Sequence, residues 1–120
     1  MHFVCSKCES RLSGDLTELE SETLVSEADQ TDYVPAGFAY LERRSFWTQH
    51  QDYWCINSKD AIGMEITQKI GCTNGCCGLD GCDGPNMLCA QCGHEVATAK
   101  LDCWMPHCVL LEPTGARVAA

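Results

Sequence analysis

The sequence CSKC at residues 5–8 has a counterpart in CAQC at residues 89–92, with residues 9–88 between the two Cys-x-x-Cys motifs. Two residues between cysteines let both sulfurs face one ion, while N–H groups of the turn hydrogen-bond the thiolates. Gly93 follows the second pair and suits a turn with positive φ. The paired motifs predict a tetrahedral zinc site formed by Cys5, Cys8, Cys89 and Cys92. Ligation worth about 10–16 kcal/mol would tie the N-terminal strand to the C-terminal third of the chain.

The second motif ends a loop rich in cysteine and glycine, GCTNGCCGLDGCDGPNMLCAQCG, at residues 71–93. Glycine on both sides of Cys76–Cys77 lets the backbone wrap closely around an ion. Because adjacent side chains diverge, we expect only one of these two cysteines to be a ligand. Several of the loop cysteines can equally be small buried hydrophobic residues. The residues of a possible second metal site are Cys72, Cys76, Cys77 and Cys82, with Cys103 or His107 as the fourth ligand.

The charge of the chain is strongly negative, with 17 acidic and 8 basic residues and a net charge of -9. Binding of a phosphate backbone needs Lys and Arg, so we expect no nucleic acid partner. Residues 9–32, here called the acidic segment, contain eight acids and the single base Arg11. They predict a docking surface for a protein with a basic face, or else a solvated face or mobile loop. Leu12, Leu16 and Leu19 are spaced for a short helix, but Gly14 makes an ordered loop an equal alternative.

The cysteines and the N-terminal residues suggest a reducing compartment. Eleven cysteines cannot all pair within one chain, and MHFVCSKCESR lacks the apolar region of a secretion signal. We therefore expect a cytoplasmic protein with reduced thiols, although a leader removed from the chain would reopen the disulfide interpretation. No apolar run of about 18 residues occurs, so we expect no membrane span.

The fold predicted is mainly β, with α+β as an alternative, in a small single zinc-stabilised domain over residues 1–120. Aromatic and alternating stretches predict strands, and Asn57 or Ser58 can cap a helical turn. Residues 115–120 are predicted to fray. The predicted strands lie at 2–5, within 38–47, at 53–57, 64–70, 95–101 and 108–113, and the helical turn at 58–62.

The chain contains CSKC, then GFAYL (37–41), then LCAQCGHEVA (88–97) followed by DCW (102–104). This layout resembles the β-tent domains of Yippee-like proteins and of the cereblon ligand-binding domain. The resemblance covers most of the chain. In cereblon-type members a tryptophan cage binds a small cyclic imide. The resemblance thus implies a small ligand in an aromatic pocket built from Trp47, Trp54 and Trp104. The cysteine-rich loop departs from that pattern.

A second motif, YWCINS at 53–58, resembles the catalytic segment of zinc-containing methionine sulfoxide reductases of the B class, and DGPN at 83–86 is similar to their DGP. This resemblance implies a thiol redox enzyme with Cys55 as nucleophile. In that family the nucleophile follows both Cys-x-x-Cys pairs, whereas Cys55 precedes the second pair. Tyr53 stands where the family has arginine.

From these features we expect a cytoplasmic zinc-binding protein, with one zinc or two, whose function is binding rather than catalysis. The alternatives are an acidic immunity or inhibitor protein that masks a basic toxin, and a redox enzyme that uses Cys55.

Overall fold

The computed structural model describes residues 1–119, and the fold is mainly β, as predicted. Two single-turn 3₁₀ helices, Glu22–Leu24 and Ser58–Asp60, are the only helices in the described part of the chain. None of the helices in that part has the length and apolar character needed to cross a membrane. The strands are β1 (Phe3–Cys5), β2 (Thr17–Glu18), β3 (Phe38–Leu41), β4 (Trp54–Ile56), β5 (Met64–Ile66), β6 (Met87–Cys89), β7 (Glu95–Lys100), β8 (Cys108–Leu111) and β9 (Ala116–Val118).

Seven strands form one sheet in the order β2-β3-β4-β8-β7-β6-β5. Its neighbouring strands are antiparallel except β2 and β3, which are parallel. β1 and β9 pair antiparallel as a separate two-stranded sheet that joins the beginning of the chain to its end. This second sheet carries Cys5, and strand β6 of the large sheet carries Cys89, so the two predicted motifs start from different sheets.

The central strands of the large sheet are buried on both faces. In β8, Val109 and Leu111 belong to one apolar cluster, whereas Cys108 and Leu110 belong to a second cluster. β4 divides in the same way, because successive side chains of a strand point to opposite faces. A strand covered on both sides has a continuous apolar sequence, which explains the run CVLL.

Around Leu12, Leu16 and Leu19 the acidic segment is extended rather than helical, so the helix alternative was wrong and the ordered loop is confirmed. Leu12, Leu16 and Leu19 are buried, as a helical stripe would be, but they point inward from extended backbone. The backbone N–H groups of Leu12 and Leu19 donate to Phe3 and Ala39. Bonds between segments therefore replace the i to i−4 bonds of a helix.

Two local predictions need correction. The tail predicted to fray forms β9 instead, because residues 116–118 pair with β1; residue 120 lies outside the described residues. The cysteine-rich loop 71–93 is not irregular throughout, since its last part forms β6 between β5 and β7. The helical turn is confirmed as the 3₁₀ helix Ser58–Asp60, and the Asn57 side chain accepts a hydrogen bond from the backbone N–H of Lys59.

Candidate metal centres

The two Cys-x-x-Cys motifs meet in space. The sulfur atoms of Cys5, Cys8, Cys89 and Cys92 all lie within 4.8 Å of one another. The Sγ atoms of Cys5 and Cys92 are 3.6 Å apart, and those of Cys8 and Cys89 are also 3.6 Å apart. These close contacts cross between the motifs, so each pair contributes to one shared group of four sulfurs.

Hydrogen-bond donors surround the sulfur atoms of this group. The backbone N–H of Lys7 donates to Cys5 Sγ at 3.4 Å, and Ser10 Oγ lies 3.3 Å from Cys89 Sγ. Burial raises the pKa of Cys89, but bonds from Ser10 and from the N–H groups of Cys92 and Gln91 outweigh burial and bring that pKa to about 6. The backbone N–H of Ser10, followed by its side chain, lowers the pKa of Cys8.

Cys92 shows the opposite shift. The backbone N–H of His94 lowers its pKa, but burial and the protons it shares with neighbouring thiols raise the pKa to about 12. Opposite shifts are expected when one sulfur holds negative charge and its neighbour donates to it. A bound cation relieves the repulsion among thiolates and favours the deprotonated form of all four.

The arrangement fits a tetrahedral thiolate site. With Zn–S bonds of about 2.3 Å, the edge of a sulfur tetrahedron is about 3.8 Å. The two contacts of 3.6 Å are close to that edge. Thiolates with N–H and O–H donors around them are typical ligands of such an ion. This group can hold a metal ion with no ligand beyond the four predicted cysteines.

A second group of sulfurs lies elsewhere, and it differs from the predicted one. Cys76, Cys77 and Cys103 bring their Sγ atoms within 4.8 Å of one another. Both adjacent cysteines belong to the group, whereas we expected only one of them to be a ligand. Their backbone N–H groups both bond to the Asp102 carboxylate, at 2.9 Å each, which turns the two residues toward the same place.

The other predicted ligands of a second ion lie outside this group. Cys72 is buried and its thiol donates to the carbonyl of Asp83 at 3.1 Å, as expected for a packed cysteine. The thiol of Cys82 lies 3.6 Å from the carbonyl of Asp80. Nε2 of His107 lies 2.9 Å from the Asp102 carbonyl oxygen. The sequence could not show these contacts, because each is made to backbone that the loop conformation places nearby.

The three tryptophans do not assemble into one cage. Trp47 and Trp104 line a cavity of about 260 Å³ together with His50, Cys82 and Lys100. Lys100 Nζ lies 5.2 Å from the Trp47 ring centroid, a cation–π contact that the sequence did not indicate. Trp54 instead packs on Phe3 in the first apolar cluster, with ring centroids 5.7 Å apart.

The candidate nucleophile Cys55 lies in the interior of the protein. It is fully buried in the second apolar cluster next to Cys108, which is also buried. Burial raises the pKa of Cys55 well above the usual value, and the neighbouring Cys108 and Glu42 raise it further. Because the thiolate is the reactive form, this environment is that of an inert structural cysteine.

All four arginines of the chain form ion pairs with the acidic segment. Three of these pairs are within hydrogen-bonding distance: Arg11 with Asp15 at 2.7 Å, Arg117 with Glu9 at 2.6 Å, and Arg44 with Glu27 at 2.5 Å. The acidic segment is thus partly neutralised by the chain itself. The remaining pairs, at 4.0 Å, are Arg43 with Glu18 and Arg44 with Glu22.

Sequence reasoning missed two residues of these sites, Ser10 and Asp102. Ser10 follows Cys8 by two positions and supplies both a hydroxyl and an N–H to the sulfurs. Asp102 is fully buried next to Cys103, and an acid adjacent to a candidate ligand was a signal that could have marked it.

Comparison of the chain with protein-family models, with curated proteins and with solved structures found no match. The resemblances to β-tent domains and to methionine sulfoxide reductases therefore stay predictions.

Proposed function

We propose that this protein is a cytoplasmic binding module stabilised by a structural zinc ion on Cys5, Cys8, Cys89 and Cys92. The observation that carries the proposal is the meeting of these four sulfurs, all within 4.8 Å, from opposite ends of the chain. Thiolates select soft or borderline ions, and four-cysteine tetrahedral sites are typical of zinc. Zinc held in this way needs reduced cysteines, which favours the cytoplasm.

The position of the site gives the ion a structural role. Cys5 ends β1 of the small two-stranded sheet, and Cys89 ends β6 of the large sheet. An ion between them would cross-link the two sheets. Four protein ligands leave zinc no position for water, so this ion supplies structure and no catalytic step.

A binding role is favoured over catalysis by the state of the candidate nucleophile. The redox alternative needs an accessible thiolate at Cys55, whereas the thiol is buried and its pKa is raised. The exposed acids of residues 9–32 instead support a protein partner with a basic face. A toxin masked by an acidic immunity protein is one partner of this class. The cavity beside Trp47 supports the other predicted partner, a small ligand.

Removal of one exposed ligand tests the zinc site. We expect the full chain, purified under reducing conditions, to hold zinc that is lost from the Cys8→Ser variant. Because the binding energy of structural zinc is folding energy, of order 10 kcal/mol, this variant should unfold or precipitate. A strong chelator should unfold the wild type for the same reason. Elemental analysis and thermal melting monitored by circular dichroism measure both effects.

Cys82→Ser is the matched control, since Cys82 is also exposed but lies outside the group. It should keep the wild-type zinc content and melting temperature. A Cys8→Ser variant that melts like the wild type and retains the same zinc would refute the site.

A further inference from the structure

The group formed by Cys76, Cys77 and Cys103 is separate from the four-cysteine site and has a different character. Its three sulfurs lie within 4.8 Å of one another, and two of the three cysteines are exposed. Among the described residues, no further His, Cys, Asp or Glu side chain places a ligand atom within that distance of all three. The group is therefore open on the solvent side, unlike the closed group of four.

A buried carboxylate holds the two parts of this group together. Asp102 is fully buried, and its oxygens accept bonds from the backbone N–H groups of Cys76 and Cys77 at 2.9 Å and of Cys103 at 2.8 Å. Trp104 Nε1 donates a fourth bond at 2.8 Å. Each oxygen accepts two of these bonds, so three backbone donors and one side-chain donor satisfy the carboxylate, and Asp102 acts as a positioning residue.

The glycines beside the cysteine pair make the close approach possible. At Gly75, where φ is 150°, a Cβ would lie 1.6 Å from the carbonyl oxygen of Gly78. At Gly78 a Cβ would lie 2.5 Å from the carbonyl oxygen of Leu101. A side chain at either position would push the pair away from residues 101–103. The segment GCCG is thus shaped to bring its thiols to Cys103.

We propose that Cys76, Cys77 and Cys103 bind a second zinc ion through three thiolates and leave its fourth position open to an external ligand. On binding, three thiols release their protons to solvent and three sulfur–metal bonds form. Thiolates prefer thiophilic ions such as Zn²⁺, and a three-ligand site with an open position takes water or an incoming donor. The external ligand expected is a small thiol or a comparable soft donor. This proposal goes beyond the structural ion and does not depend on it.

Two pools of zinc that differ in release rate are the expected result for the full chain. A colorimetric chelator should remove about one equivalent rapidly while the circular dichroism spectrum is unchanged, because the site is exposed and open. A second equivalent, about one per chain, should leave only as the protein unfolds. Cys76→Ser combined with Cys103→Ser should abolish the rapid pool and keep the slow one.

Variants assign each pool to its site. Cys82→Ser, from the same loop, should keep both pools. If the double variant does not fold, Cys76→Ser alone replaces it in the test, since Cys76 is exposed. Absence of the slow pool in the wild type would count against the four-cysteine site and not against this one. Absence of a rapid pool in the wild type, or its survival in the Cys76 variants, would overturn the proposal. A disulfide among these cysteines, detected by mass spectrometry, would also overturn the proposal.

Cobalt(II) exchanged into the rapid pool tests the open position. Addition of a small thiol should shift the visible absorption bands of the wild type, because a fourth sulfur replaces water. Cys76→Ser should show no such response. Unchanged bands in the wild type would contradict the open position.

Discussion

At the scale of single residues, His50 is buried next to the cavity and makes stability depend on pH. Burial, followed by the positive charge of Lys100, lowers its pKa from 6.5 to about 4, and its ring packs on Tyr53 with centroids 4.9 Å apart. The folded state thus resists protonation while the unfolded chain accepts the proton. The contribution of His50 to stability is therefore fully present above about pH 6.5, is lost as the pH drops toward 4, and changes little further below. Allowing for partial screening, we expect a loss of roughly 2 kcal/mol from this group.

The variant His50→Gln should flatten this part of the pH profile. Urea unfolding at about pH 7.5 and about pH 5 should show a smaller loss in the variant than in the wild type. Protonation of the thiolates of the four-cysteine group affects both proteins equally, so their difference reports His50 alone. Parallel profiles for the two proteins would show that His50 is not protonated differently in the folded and unfolded states.

At the scale of secondary structure elements, β9 holds β1 in place and thereby positions Cys5. Ser6 N–H donates to Gly115, and Ala119 N–H donates to His2, at 2.9 Å each. By the alternation of an antiparallel ladder, Val4 and Arg117 between them form a hydrogen-bonded pair. The end of the chain is thus a structural part of the metal site.

Arg117→Pro should therefore weaken both the fold and the site. Proline removes the N–H that pairs with Val4, and we expect a loss of at least roughly 2 kcal/mol with faster release of zinc from the four-cysteine group. Arg117→Ala is the control, since it removes only the ion pair with Glu9 and should cost less than about 1 kcal/mol. Denaturant unfolding and chelator kinetics measure the two effects. Equal stability of the two variants would mean that residues 115–119 fray after all.

At the scale of the whole molecule, the negative field is concentrated on one ordered segment but partly offset by the chain's own arginines. The field still favours encounter with a basic surface, over a screening length of about 10 Å at 0.1 M salt. Neutralising four acids of this segment should slow association with an immobilised polylysine surface about tenfold at low salt, while the melting temperature changes little. The variant combines Asp15→Asn, Glu18→Gln, Glu20→Gln and Glu22→Gln.

A control of equal net charge separates the location of the charge from its amount. The exposed acids Asp52, Glu65, Asp83 and Glu95 lie outside the segment, and their neutralisation should slow association less. Equal effects of the two quadruple variants would mean that the segment is an ordinary solvated face. Trp104→Ala, in the cavity, should leave this association unchanged; if it alone reduces binding, the cavity is the binding site.

Features that depend on short-range pattern could be predicted from the sequence. Spacing within CSKC and CAQC identified all four members of the first sulfur group, and alternation or apolar runs located β1, β7 and β8. Such features can be predicted from the sequence because local geometry alone makes two sulfurs of one turn, or alternate residues of one strand, neighbours in space. The acidic composition of residues 9–32 was visible in the same way.

Contacts between residues far apart in the sequence became visible in the tertiary structure alone. Cys103 joins Cys76 and Cys77, rather than Cys72 and Cys82, because Asp102 accepts N–H bonds from both segments. Residues 116–118 form a strand because β1 offers a free edge at the other end of the chain. Leu12, Leu16 and Leu19 are buried without a helix because the extended chain bonds to neighbouring segments. Each outcome depends on partners far apart in sequence, which local propensity does not encode.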